Sequence, residues 1–183
     1  MGSSELKTRF EEIYSAHYPA VATYIKRRTD APDDIADAIA ETFTTAWRRI
    51  GDVPKGEEAR LWLYGVARRV LANHFRAEER RTALAQRLRE EVTTWAEAMP
   101  VRDSGAAYEA FRRLSGDDRE LLALVAWEGL SSPEIAKVLG CSHGAVRIRL
   151  HRARKRLARE LAAAHLDLTS YGPRAVALAE RQS

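Results

Sequence analysis

The 183-residue chain has one cysteine, six prolines and ten glycines, and no apolar run near the ~20 residues that a membrane-spanning helix needs. Cys141 alone cannot close an internal disulfide, so nothing in the sequence demands an oxidising compartment. Met1 to Phe10 lacks the apolar stretch of a secretory signal, and the cytoplasm is the expected location. Glycine-rich phosphate loops are missing, and no Cys–His or paired-carboxylate motif stands apart from helix-surface charge. No catalytic residue is therefore named, and an enzyme is not expected. His143 and His151 have no cysteine or histidine at ligand spacing, so neither a metal site nor a cofactor is expected.

What is abundant is helix formers. Ala, Leu, Arg and Glu recur throughout, with 45% hydrophobic and 31% charged residues, the profile of a globular all-α protein. The net charge of +4 is mild, but its placement is uneven. Asp30, Asp33, Asp34, Asp37 and Glu41 fall in one segment without a Lys or Arg. Between His143 and Glu160, Arg147, Arg149, Arg152, Arg154, Lys155, Arg156 and Arg159 face a single acid. One acidic and one strongly basic helix imply two kinds of partner.

Leu6, Phe10, Ile13, Tyr14 and His17 recur at helical spacing, and Pro19 reads as the start of a second helix carrying Val21, Tyr24 and Ile25. Ala31-Pro32-Asp33 is a break and a helix start. After it Ile35, Ile39, Phe43, Trp47 and Ile50 form a stripe, with acids at the N-terminal end and Arg48-Arg49 at the C-terminal end, as the helix dipole favours. A loop over Gly51 to Gly56 precedes a long helix, predicted over Glu57 to Arg81. Thr82 to Gly105 reads as a linker, partly helical through Trp95. A second helical domain, Ala106 to Ala164, follows, and Leu166 to Ser183 has no functional reading.

Ser131 as N-cap and Glu134 three residues on form a capping box, with Pro133 tolerated in the first turn. Ile135, Ala136, Val138 and Leu139 supply the buried side of that helix. Gly140-Cys141-Ser142 is a turn with glycine where a left-handed residue ends a helix, and Ser142 can cap the next. There Val146, Leu150, Ala153 and Leu157 make an apolar stripe, with Arg147, His151 and Arg154 beside it. Two short helices joined so, the second basic on its open side, describe a helix-turn-helix. A solvated basic face is the plainer reading of charge alone. The capped first helix, the glycine turn and the dense arginines together favour DNA.

Glu128-Gly129-Leu130-Ser131, Glu134-Ile135-Ala136, Leu139-Gly140-Cys141-Ser142 and Gly144-Ala145-Val146-Arg147, running into Arg149-Leu150-His151-Arg152-Ala153-Arg154, resemble the sigma-four domain of extracytoplasmic-function (ECF, group 4) sigma factors of the sigma-70 family. Leu114-Ser115-Gly116-Asp117-Asp118-Arg119-Glu120 resembles that domain's opening. In the N-terminal half, Glu41-Thr42-Phe43 with Ala46-Trp47-Arg48 resembles the family's polymerase-binding helix. Ala59-Arg60-Leu61-Trp62-Leu63-Tyr64 with Val66-Ala67-Arg68 resembles its promoter-reading helix.

The resemblance implies two small helical domains: a sigma-two bundle at 5–81, a linker at 82–105, a sigma-four helix-turn-helix domain at 106–164 and a tail at 165–183. It implies a transcription initiation factor that binds core RNA polymerase, through the largest subunit's clamp helices and the second-largest subunit's flap, and recognises promoter DNA. Asp34, Asp37, Glu41 and Phe43 would meet core polymerase. Thr45, Arg49, Arg60, Tyr64, Val66, Arg68 and Arg69 would meet the minus-ten element and its flipped base; Trp62 is assigned to packing. Ser132, His143, Arg147, Ile148, His151, Arg152 and Arg154 would meet the minus-thirty-five element. An anti-sigma partner is common in the family. Ala40 replaces a usual glutamine, Arg69 an asparagine, Ile148 a serine and Val125 a basic residue. A self-sufficient helix-turn-helix regulator, and a protein that only sequesters polymerase or an anti-sigma factor, are the readings left open beside it.

Overall fold

The computed structural model describes residues 3–29, 31–89 and 106–163. The chain divides into two compact units, Met1–Ala96 and Glu97–Ser183. Among the described residues all regular structure is helical: α1 (Ser3–Lys26), α2 (Pro32–Arg48) and α3 (Glu57–Arg89) in the first unit, α4 (Ala106–Arg112), α5 (Gly116–Ala126), α6 (Ser132–Leu139) and α7 (His143–Ala163) in the second.

In the first unit α1, α2 and α3 pack pairwise into a three-helix bundle. The break expected at Pro19 does not occur, and α1 runs through it as one helix. Interior proline forfeits a hydrogen bond and costs ~3 kcal/mol or more in isolation. Here Ile13 before it and Val21, Ala22, Tyr24 and Ile25 after it bury on one side of the same helix. Each fully buried large apolar side chain contributes ~1.5–3 kcal/mol, enough to hold the helix across its lost bond. Pro32 occupies the first turn of α2, where no amide hydrogen is needed, with Asp33 and Asp34 beside it at the positive end of the dipole.

The loop from α2 to α3 is held from three directions. Val53 is buried, its carbonyl accepts from the Arg9 guanidinium at 2.5 Å, and Arg49 pairs with Asp52 at 2.8 Å. Gly56, at φ +60°, makes the left-handed step into α3. That helix is apolar almost all round at its centre: Leu61, Leu63, Tyr64, Val66, Ala67, Val70 and Leu71 are all buried. It continues to Arg89, two turns beyond the expected end at Arg81. The linker's remaining residues, 90–105, the last residue of the second domain, 164, and the tail, 165–183, lie outside the described residues.

In the second unit α4, α5 and α6 each pack on α7. Val146, Leu150, Ala153 and Leu157 are buried as the stripe predicts, and Leu161 extends it. On the helices packed against it, Leu121, Leu122 and Leu124 of α5 and Ile135 and Val138 of α6 are buried too. Ser115 caps α5 by accepting from the Asp118 amide at 3.2 Å. The Glu134 carboxylate accepts from the Ser131 amide at 2.8 Å, and Gly140 ends α6 at φ 64°. Ser142 then caps α7 by accepting from the Ala145 amide at 3.2 Å. The helix-turn-helix is thus built from the capping chemistry written in its sequence.

Candidate functional site

α2 packs through a narrow face of small residues. Ala38, Thr42 and Ala46 face inward, and the Thr42 hydroxyl is satisfied by the Ala38 carbonyl at 2.7 Å. Two ridges flank that narrow face. One is acidic: Asp34, Asp37 and Glu41 recur at helical spacing and are exposed. Glu41 also reaches His74 of α3 at 3.1 Å. The other is aromatic. Phe43 is buried beneath Tyr14 and Tyr18 of α1, with ring centroids 4.7 and 6.0 Å away. Trp47 meets Phe10 edge-on at 5.3 Å and stays 45% exposed. Of the four residues expected to meet a protein partner, the three acids are on the surface and Phe43 supports the aromatic ridge from below. Tyr14 and Trp47 belong to the apolar spacing read from the sequence, yet they stay 41% and 45% exposed.

The residues expected around an unpaired base do not share one open surface. Tyr64 is buried and stacks on Tyr24 at 4.8 Å and 18°; Val66 is buried as well. Both are core positions, because the middle of α3 is enclosed by α1 and α2. Thr45 is half-buried at the α2 rim. Arg49 is held by Asp52, with its guanidinium 5.8 Å from the Trp62 ring. Arg60 pairs with Glu57 at 3.1 Å, and Arg68 is half-buried.

Trp62, Arg69, Asn73 and Arg76 recur at spacings of seven, four and three, so they lie along one side of α3. All four are exposed or half-buried. Arg69 donates to its own helix at the Gly65 carbonyl, 3.0 Å away, and Arg76 to Asn73 at 2.6 Å. The sequence reading assigned Trp62 to packing and passed over Asn73. The signal that could have found them is the gap they form in the buried pattern. His17, near Glu57 and Arg60, is held below the usual histidine pKa by burial; the Glu57 carboxylate opposes that shift and Arg60 reinforces it.

On α7 the basic residues divide by role. Arg147, Ile148, His151 and Arg152 are exposed, opposite or beside the buried stripe. His143 and Arg154 lie on the Arg147 flank at helical spacing, His143 exposed and Arg154 half-buried. Ser132, at the start of α6, is half-buried. Arg156 turns inward to the buried Asp118 of α5 at 3.2 Å, and Glu160 pairs with Arg113 of α4 at 3.7 Å. The C-terminal half of the basic helix therefore helps hold its own unit together, while the N-terminal half is open. Cys141, in the turn, is free and half-buried.

Among the described residues no group of three or more His, Cys, Asp or Glu could hold a metal ion, and no helix is long and apolar enough to cross a membrane.

Two family descriptions match this chain in order: sigma-70 region 2 over residues 13–81 and sigma-70 region 4 over residues 104–157. The chain is 32% identical to the ECF RNA polymerase sigma factor BldN of Streptomyces coelicolor, over 83% of this chain and 60% of that protein. It thus spans less than two thirds of that relative's length. It is also 32% identical to the ECF RNA polymerase sigma factor SigF of Caulobacter vibrioides, over 76% of this chain and 78% of that one. The sigma factor RpoE of Bartonella quintana, solved in complex with the anti-sigma factor NepR, shares the fold, with TM-score 0.57, 24% identity and coverage of 84% and 96%.

Proposed function

Because the chain belongs to the ECF RNA polymerase sigma factors of the sigma-70 family, we propose that it is a dissociable specificity subunit of RNA polymerase, of the group 4 type. It directs promoter-specific initiation and leaves nucleotidyl transfer to the polymerase, with no enzyme activity or cofactor of its own, in the cytoplasm. The observation that carries this reading is the pairing, in one chain and in family order, of an acid-and-aromatic surface on α2 with an open arginine face on α7.

Asp34, Asp37 and Glu41, with Trp47 and Tyr14 across the helix, would seat on the clamp helices of the largest subunit. The second unit would lie against the flap of the second-largest subunit. Thr45, Arg49, Arg60, Arg68 and Arg69 would attend the minus-ten element, with Trp62 and Arg76 added and Tyr64 and Val66 supporting from within. A half-open tryptophan beside arginines suits single-stranded bases, since base stacking contributes ~1–3 kcal/mol per base. Arg147, Ile148, His151 and Arg152 would enter the major groove at the minus-thirty-five element, with His143, Arg154 and Ser132 at its edges, where arginine pairs bidentately with guanine. An anti-sigma protein, as NepR is in its complex with RpoE, would compete for these surfaces.

The test is run-off transcription with purified core polymerase. The chain should confer starts on a subset of promoters in a randomised library and co-elute with core at low salt. A gel shift on duplex DNA should require polymerase. Strong DNA binding by the chain alone would indicate an independent helix-turn-helix regulator, and the absence of any promoter-specific transcript would refute the reading.

A further inference from the structure

Ile148 is 57% exposed, the most open of the large apolar side chains among the described residues. Single exposed apolar residues are ordinary on protein surfaces and usually carry no message. This one is set apart by its position. It lies about 180° from the centre of the buried Val146–Leu150–Ala153–Leu157 stripe at 3.6 residues per turn. It therefore tops the open crown of α7, the part that goes deepest into a groove. His151 and Arg152, one turn on, flank it and are exposed. One turn before it stands Gly144, where an added Cβ would meet nothing within 4 Å, so the helix backbone is bare just N-terminal to the isoleucine.

A branched aliphatic side chain can neither donate nor accept a hydrogen bond. In a major groove the apolar feature it can meet is the thymine C5 methyl. We propose that Ile148 is a specificity-determining residue that selects a thymine in the upstream promoter element by packing on that methyl, among arginines that grip guanine or phosphate. This rests on the reading of α7 as a major-groove helix.

The test uses holoenzyme reconstituted from the full chain and core polymerase, on promoter DNA selected from a library with a randomised upstream element. Each thymine of the selected element is replaced in turn by deoxyuridine, which removes only the methyl. At one position the run-off yield should fall about fourfold, the effect of one buried methyl. Ile148→Ala, folded as judged by circular dichroism, should give equal yields from the thymine and deoxyuridine templates there. Equal yields from the unaltered chain at every position, or a selected element without thymine, would overturn the assignment. If Arg147→Ala still lowers use of the upstream element in that case, the reading of α7 survives without Ile148. If no dependence on the element exists at all, both fall together.

Discussion

In α7 the side chains that go inside are mostly large aliphatics, Val146, Leu150, Leu157 and Leu161 with Ala153, and the outside is mostly charge, with Ile148 among it. In α2 the inside is Ala38, Thr42, Ala46 and Phe43, the last beneath two tyrosines, while Trp47 stays 45% exposed. The two helices carry similar three-and-four apolar spacing. They differ in what they bury: small residues and one aromatic on α2, and mostly large aliphatics on α7. The surfaces left over differ accordingly: aromatic and acidic on α2, and arginine-rich on α7.

The comparison is broken most directly through the packing of α7. Leu150→Ala should cost about 2–5 kcal/mol and lower amide-exchange protection in α6 and α7 while leaving α1 to α3 unchanged. Equal loss in both units would show that they do not fold separately. Next in size is the division of labour along α7. Arg152→Ala should remove about 1–3 kcal/mol of upstream-element discrimination in holoenzyme transcription without shifting the unfolding midpoint. Arg156→Ala should do the reverse, lowering the stability of its unit by about 1 kcal/mol, because Asp118 would lose its cation.

On the other side, Trp47→Ala should weaken core polymerase binding about tenfold, as exposed aromatic anchors do, with the melting curve nearly unchanged. An altered fold with unchanged binding would make the aromatic ridge structural. The smallest effect belongs to His17. Its folded pKa is below the ordinary 6.5, so the unfolded chain binds more protons and stability rises with pH. The first unit should lose stability as pH falls from about 7 through the lowered folded value, and His17→Gln should flatten that part of the urea-midpoint profile.

Much of this was legible in the residues. The α6–turn–α7 segment could be read cap by cap, because Ser131 with Glu134, Gly140 and Ser142 act over three or four residues and need no distant partner. The start of α2 at Pro32 was legible for the same local reason. Pro19 was misread because its cost is local and its compensation is not: the burial of Val21, Tyr24 and Ile25 depends on α2 and α3 being present. Tyr64 and Val66 were placed at a DNA surface by resemblance. Their burial follows from stacking on Tyr24 and enclosure by two other helices, neither of which is visible in α3 itself.

By itself the sequence determined that the chain is helical, where the locally capped helices begin, that a helix-turn-helix ends in an arginine-rich face, and that acid and base are segregated. Those features arise from interactions within a few residues, which spacing and residue type express directly. Tertiary structure alone decided which side of each apolar stripe is truly inside, which arginines hold the fold and which face outward, and that aromatics border α2. Burial is a property of the partner surface as much as of the residue, and the partner is supplied only when helices distant in the chain close on one another.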